Sequence, residues 1–121
     1  MIEKFEIEKD NDNLRWFCNK TAILRAVSNL DQAMVDESRQ LVFVLSGPQE
    51  LPTELKILDE AGMEVFSCSP PQGSDFYYLT KTPARNVLII CVFDEKPEGW
   101  HDWHYSFDYK NMRLLREGPV Y

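Results

Sequence analysis

Glycine is scarce in this 121-residue chain, with five residues, and histidine is scarcer still, with two. So few glycines leave no Gly-rich loop to cradle a phosphate and no Gly-x-Ser-x-Gly elbow to present a nucleophilic serine. Cysteine is limited to Cys18, Cys68 and Cys91, an odd number at wide spacing that suits neither a disulfide framework nor a zinc knuckle. The longest apolar run, Val87–Phe93, falls well short of the roughly 18 residues of a membrane-crossing helix. The opening residues, Met1 to Glu8, alternate charged with apolar side chains, whereas a secretory leader needs about 7–15 apolar residues in a row. Positive charge is also in short supply. Lys+Arg is 13 against 20 for Asp+Glu, a net charge of −7 and a sequence pI near 4.8. With no local basic patch to reverse that field, phosphate backbones and anionic membranes would repel the chain. The balance points away from nucleic acid and membrane. Basic proteins, or neutral or cationic small molecules, remain as partners.

The rest of the composition is that of one globular domain spanning residues 1–121, 44% hydrophobic and 27% charged. Cys91 lies inside the apolar run and Cys68 ends a strand-like segment, so both read as buried small hydrophobes. Without a leader, the glycosylation sequon Asn19-Lys20-Thr21 carries little weight, and the expected compartment is the reducing cytoplasm.

Periodicity then assigns the elements. Phe5 and Ile7 alternate with charged residues as a half-buried strand, Asp10–Asn13 is a turn cluster, and Leu14–Cys18 returns as the second strand of a hairpin. The rival reading starts a helix at Asp12. From Thr21 to Val35 the period changes: Ile23, Val27, Leu30 and Met34 follow at spacings of four, three and four, one side of a helix capped by Asn19 or Thr21. Leu41–Leu45 reads as a central strand covered on both faces. Glu54–Leu58 and Met63–Ser67 flank Asp59-Glu60-Ala61-Gly62, a type I turn closing on Gly. Ser69–Ser74 is a loop, Phe76–Leu79 and Arg85–Phe93 are strands, and Trp103–Asp108 pairs with Met112–Arg116 around Lys110-Asn111. Residues 118–121 are expected to be irregular. The expected fold class is α+β, mainly antiparallel sheet of short strands with one packed amphipathic helix.

The chemistry concentrates between Asp94 and Tyr109. This stretch holds both histidines, two of the three tryptophans, and five acids against one lysine. His101, Asp102 and His104 could ligate a metal, but a spacing of three unites the two imidazoles only on a helix. Trp103, Tyr105, Phe107 and Tyr109 alternate as the core face of a strand instead. His104, Ser106 and Asp108 would share the other face, too far apart along one strand for a nucleophile–base hydrogen bond. A small metal-dependent or hydrolytic enzyme using His101, Asp102 and His104 is therefore the alternative, and a structural subunit of a larger assembly a further one. Recognition fits better. Trp100 follows Pro97-Glu98-Gly99 in a loop, surrounded by Asp94, Glu95, Glu98 and Asp102, an aromatic anchor ringed by charge. Two further acidic groups, Asp31 with Asp36 and Glu37 at the end of the expected helix, and Glu50, Glu54, Asp59 and Glu60, read as solvated faces.

The closing portion, Gly99-Trp100-His101-Asp102-Trp103 through Asp108-Tyr109-Lys110-Asn111 to Pro119-Val120-Tyr121, resembles the small acidic cytoplasmic immunity proteins of bacterial toxin–immunity systems. That resemblance implies a non-enzymatic protein that binds a cognate basic toxin, often a nuclease, and blocks its active site. The expected partner-binding residues are Asp94, Glu95, Glu98, Trp100 and Asp102. No catalytic residue, metal or cofactor is expected, and the oligomeric state is left open.

Overall fold

The computed structural model describes residues 1–121 and contains eleven strands: β1 (Ile2–Glu8), β2 (Asn13–Cys18), β3 (Thr21–Ala26), β4 (Leu30–Asp36), β5 (Leu41–Ser46), β6 (Glu54–Leu58), β7 (Glu64–Cys68), β8 (Ser74–Lys81), β9 (Val87–Phe93), β10 (Asp102–Asp108) and β11 (Arg113–Pro119). They form three antiparallel sheets in the orders β1-β2-β3, β4-β5-β6-β7 and β11-β10-β9-β8. The only helical turns are short 3-10 segments at Lys9–Asn11 and Pro97–Gly99. The fold is all-β. The α+β class expected from the sequence, with its packed helix, is overturned.

The error lies in residues 21–35, which form β3 and β4 instead of the helix. Asn19 and Lys20 both have positive φ (50° and 67°) and close a two-residue turn in which Cys18 pairs with Thr21. This turn fits the right-handed twist of a hairpin, so Asn19 turns a strand where a helix cap was expected. Val27–Asn29 then bends the chain, with Asn29 at φ 55°. Asp12, distant in sequence, holds the bend. Its carboxylate accepts from the N–H groups of Asn29 (3.1 Å) and Leu30 (3.3 Å), and its carbonyl accepts from Val27 N–H (2.7 Å). The apolar spacing survives the change of structure. Ile23, Val27 and Leu30 join the core between the first and second sheets, whereas Met34 packs on the core between the second and third.

The second sheet is thus the middle of three layers, and β5 shows why. Leu41, Phe43 and Leu45 enter one core and Val42 and Val44 the other, and every residue of the strand is buried. An unbroken apolar run is what a strand with both faces covered requires. The hairpin at Asp59–Gly62 forms as its sequence indicates, with Gly62 at φ +86° and Asp59 Oδ1 accepting from the N–H groups of Ala61 and Met63. In β1 a bulge between Glu3 and Glu6 shifts the register; Phe5 packs inward beside Trp16, and Ile7, opposite buried Leu14 on this edge strand, stays exposed. The chain end is more regular than expected. β11 includes Gly118 and Pro119, and Val120 N–H donates to Asp102 O.

Polar side chains of β4 and of the turn after it join the middle sheet to the third. Gln32 on the edge strand β4 accepts from Leu79 N–H (2.8 Å) and donates to Tyr77 O (3.2 Å), bridging to the edge strand β8. Fully buried Asp36 accepts from Val87 N–H (3.0 Å) and pairs with Arg39 (2.8 Å), which also donates to Phe107 O. Asp36 and Glu37 are therefore not the solvated acids at a helix end that the sequence suggested. Asp36 is an internal clamp, and Glu37 pairs with Lys81 at the end of β8 and with Arg85 on the strap to β9.

Candidate functional site

Within the stretch Asp94–Tyr109, the part that holds the expected contact residues is the connection from β9 to β10 with the first residue of β10. Its ends are fixed to each other: Phe93 N–H donates to His101 O, and His101 Nδ1 donates to Phe93 O, both at 2.8 Å. Inside this closed loop Pro97 opens the 3-10 turn, Glu98 takes a left-handed conformation (φ 50°), and Gly99 follows at φ 91°. These two successive positive-φ residues let the chain reverse within the loop before Trp100 leads into β10.

Four of the five expected contact residues gather there. Asp94 and Glu95 are exposed and make no hydrogen bond or ion pair within the chain. Trp100 keeps 41% of its surface exposed and meets the Tyr121 ring edge-on at 4.8 Å. Asp102, half-buried, heads β10 on the sheet's outer face, next to the groove that also contains Asp94 and His101. Glu98 is different. Its carboxylate pairs with Arg116 (3.0 Å), whose guanidinium lies 4.3 Å from the centre of the Trp103 ring. This stack holds the loop against β11, so Glu98 positions the loop.

Trp103, Tyr105 and Phe107 are buried as the core face of β10, as the alternation indicates, and burial raises the Tyr105 phenol pKa. Tyr109 departs from that pattern. It lies beyond the end of β10 and is 43% exposed. The opposite face does not unite His104, Ser106 and Asp108. His104 Nδ1 donates to Gly118 O (3.1 Å), Ser106 Oγ donates to Glu117 (3.3 Å), and Asp108 accepts from Asn111. The Asn111 hydrogen bonds hold the Asp108 carboxyl below the ordinary carboxylate range. His101 sits in the loop and His104 on the strand, and no group of three or more His, Cys, Asp or Glu side chains converges as a metal site.

The remaining acids have separate places. Asp31 is half-buried on β4 beside Gln32, Glu54 pairs with Lys56, Asp59 shapes its own turn, and Glu60 pairs with the N-terminal amine. Cys18 and Cys91 are buried, and Cys68 is half-buried. Burial pushes the Cys91 thiol up to about 12 and the Cys68 thiol up to about 11, so neither is a nucleophile at neutral pH.

Sequence reasoning missed three residues at this end of the molecule. Asp75 on β8 faces Val92 on β9, which faces Asp102 on β10, one row across three strands. Tyr77 of β8 and Leu51 of the β5–β6 loop line the same groove as Val92, Asp94 and Asp102. The acids at positions 75 and 102 are brought into one row by strand register, which no local pattern reveals. No protein-family model, curated protein or solved structure matches this chain.

Proposed function

We propose that this protein is a non-enzymatic, immunity-type inhibitor that binds a basic protein toxin, a nuclease in the simplest case, and occludes its active-site cleft. One observation carries the reading. The exposed carboxylates of Asp94 and Glu95 have no partner within the chain and stand on the same loop as a half-exposed tryptophan. Carboxylates so placed imitate the phosphates of a nuclease substrate and steer a cationic partner into contact. Trp100 then supplies the apolar anchor that slows dissociation. Asp102 adds charge beside it, and Glu98, through Arg116, ties the loop to β11. A standard interface takes about 800 Å² per partner, a minor share of the 7100 Å² of accessible surface here.

The test is protection of a bacterial host. The reading expects the gene for this chain to lie beside one for a secreted protein with a basic C-terminal domain, and that domain alone should arrest growth. Co-expressing the native chain should restore growth, and the Asp94→Ala/Glu95→Ala/Trp100→Ala variant should not. A triple variant that protects as well as the native chain contradicts the assignment.

A further inference from the structure

β9 and β5 are equally apolar, but only β5 is covered on both sides. Val87, Ile89, Cys91 and Phe93 point into the core, while Leu88, Ile90 and Val92 point to the opposite face, which no other sheet covers. Ile90 is buried between its register neighbours Tyr78 and His104, whereas Leu88 and Val92 remain partly open. An apolar stripe on an outer face is an unusual investment for a strand whose other side already fills the core. At the Val92 end it lies between carboxylates: Asp75 on one side, Asp102 on the other, and Asp94 at the head of the loop. None of these three forms an ion pair within the chain.

We infer that this face seats an arginine-bearing segment of the basic partner, an inference that rests on the function proposed above and extends its site from the loop onto the sheet. The guanidinium sits among Asp75, Asp94 and Asp102, and its aliphatic stem lies along Val92 and Tyr77. Charge selects this occupant over others. A second copy of the chain, face to face, would set acid against acid. A neutral apolar partner would bury carboxylates without compensation, which is costly. Arginine suits the place better than lysine because its guanidinium is weakly hydrated, pairs with carboxylates in two-pronged fashion and stacks on an aromatic ring.

The test is an amide-resolved NMR titration of the full chain with the peptide acetyl-Arg-Leu-Arg-Leu-Arg-amide. Shifts should localise to residues 75–78, 90–92 and 100–102. The Asp75→Asn/Tyr77→Ala variant changes two exposed side chains outside the loop, so it should keep the native spectrum elsewhere yet bind about fivefold more weakly or worse. A Glu3→Gln/Glu6→Gln variant on the first sheet should bind as the native chain does. Shifts spread over every acidic side chain, shifts produced by protein concentration alone, or equal affinity of the Asp75/Tyr77 variant would each overturn the inference. The protection assay separates the two claims. If Asp75→Asn/Tyr77→Ala protects fully while the loop variant does not, the proposed function stands and this surface falls. If the peptide localises here but the native chain never protects, the surface stands and the toxin reading falls.

Discussion

Asp36 has no exposed surface, and its charge is sustained by what surrounds it. Burial alone would push its carboxyl up, but hydrogen bonds from Arg39, Val87 N–H and Ser38, with the Arg39 charge, outweigh burial and hold the carboxyl below its ordinary value. A carboxyl depressed in the folded state contributes stability that is complete above the unfolded value, about 3.9, and is lost as pH falls through the lower native value. Asp36→Ala should cost about 3 kcal/mol in urea unfolding, because it leaves Arg39 without its buried partner. The native chain should lose stability below about pH 4, and the variant should lose less there. A variant as stable as the native chain would remove Asp36 from the account. The thiols give a second check at this scale. Cys91 should resist iodoacetamide at pH 8 in the native protein and react once the chain is unfolded, as read by mass spectrometry of the labelled peptide. The sequence shows the place of one of these residues and hides that of the other. Cys91 is recognisable from its apolar run, whereas Asp36 reads as a solvated acid because its partner Val87, and the Phe107 carbonyl that anchors Arg39, are remote in sequence.

At the scale of elements, the elements with local signals were legible and the one defined by a distant contact was not. β5 declares itself by an unbroken apolar run, and the β6–β7 hairpin by Asp59 and Gly62, whose conformations the turn requires. β3 and β4 carry a spacing that a helix and a bent pair of strands both satisfy. What decides between them is Asp12, which grips the bend at Asn29 and Leu30 from the end of the 3-10 turn after β1. A one-dimensional pattern contains no record of that grip. Asp12→Ala should therefore destabilise the protein by about 1–2 kcal/mol in chemical denaturation, with the far-ultraviolet circular dichroism of the native state unchanged and free of helical bands. A helical spectrum would contradict the all-β fold directly. The same limit explains the site. The loop from Asp94 to Trp100 was legible because its residues are contiguous, whereas Asp75, Tyr77 and Val92 meet it only through the register of β8, β9 and β10.

As a whole, the molecule is three sheets in which the middle one is sealed on both sides and the third leaves its outer face to solvent. Around the β9–β10 loop Glu98 is matched by Arg116, whereas Asp94, Glu95 and Asp102 have no Lys or Arg partner within the chain. Part of the net charge of −7 thus stands unpaired beside the exposed Trp100. The central claim is that this end of the molecule captures a basic protein. The most direct measurement is the affinity for that partner at low and at high salt, for the native chain, for Asp94→Ala/Glu95→Ala/Trp100→Ala and for the surface control Lys9→Ala. The account predicts that the triple variant binds at least about 100-fold more weakly and responds less to salt, while Lys9→Ala binds as the native chain does. Equal losses in the two variants, or a triple variant with unchanged affinity and salt response, would contradict it.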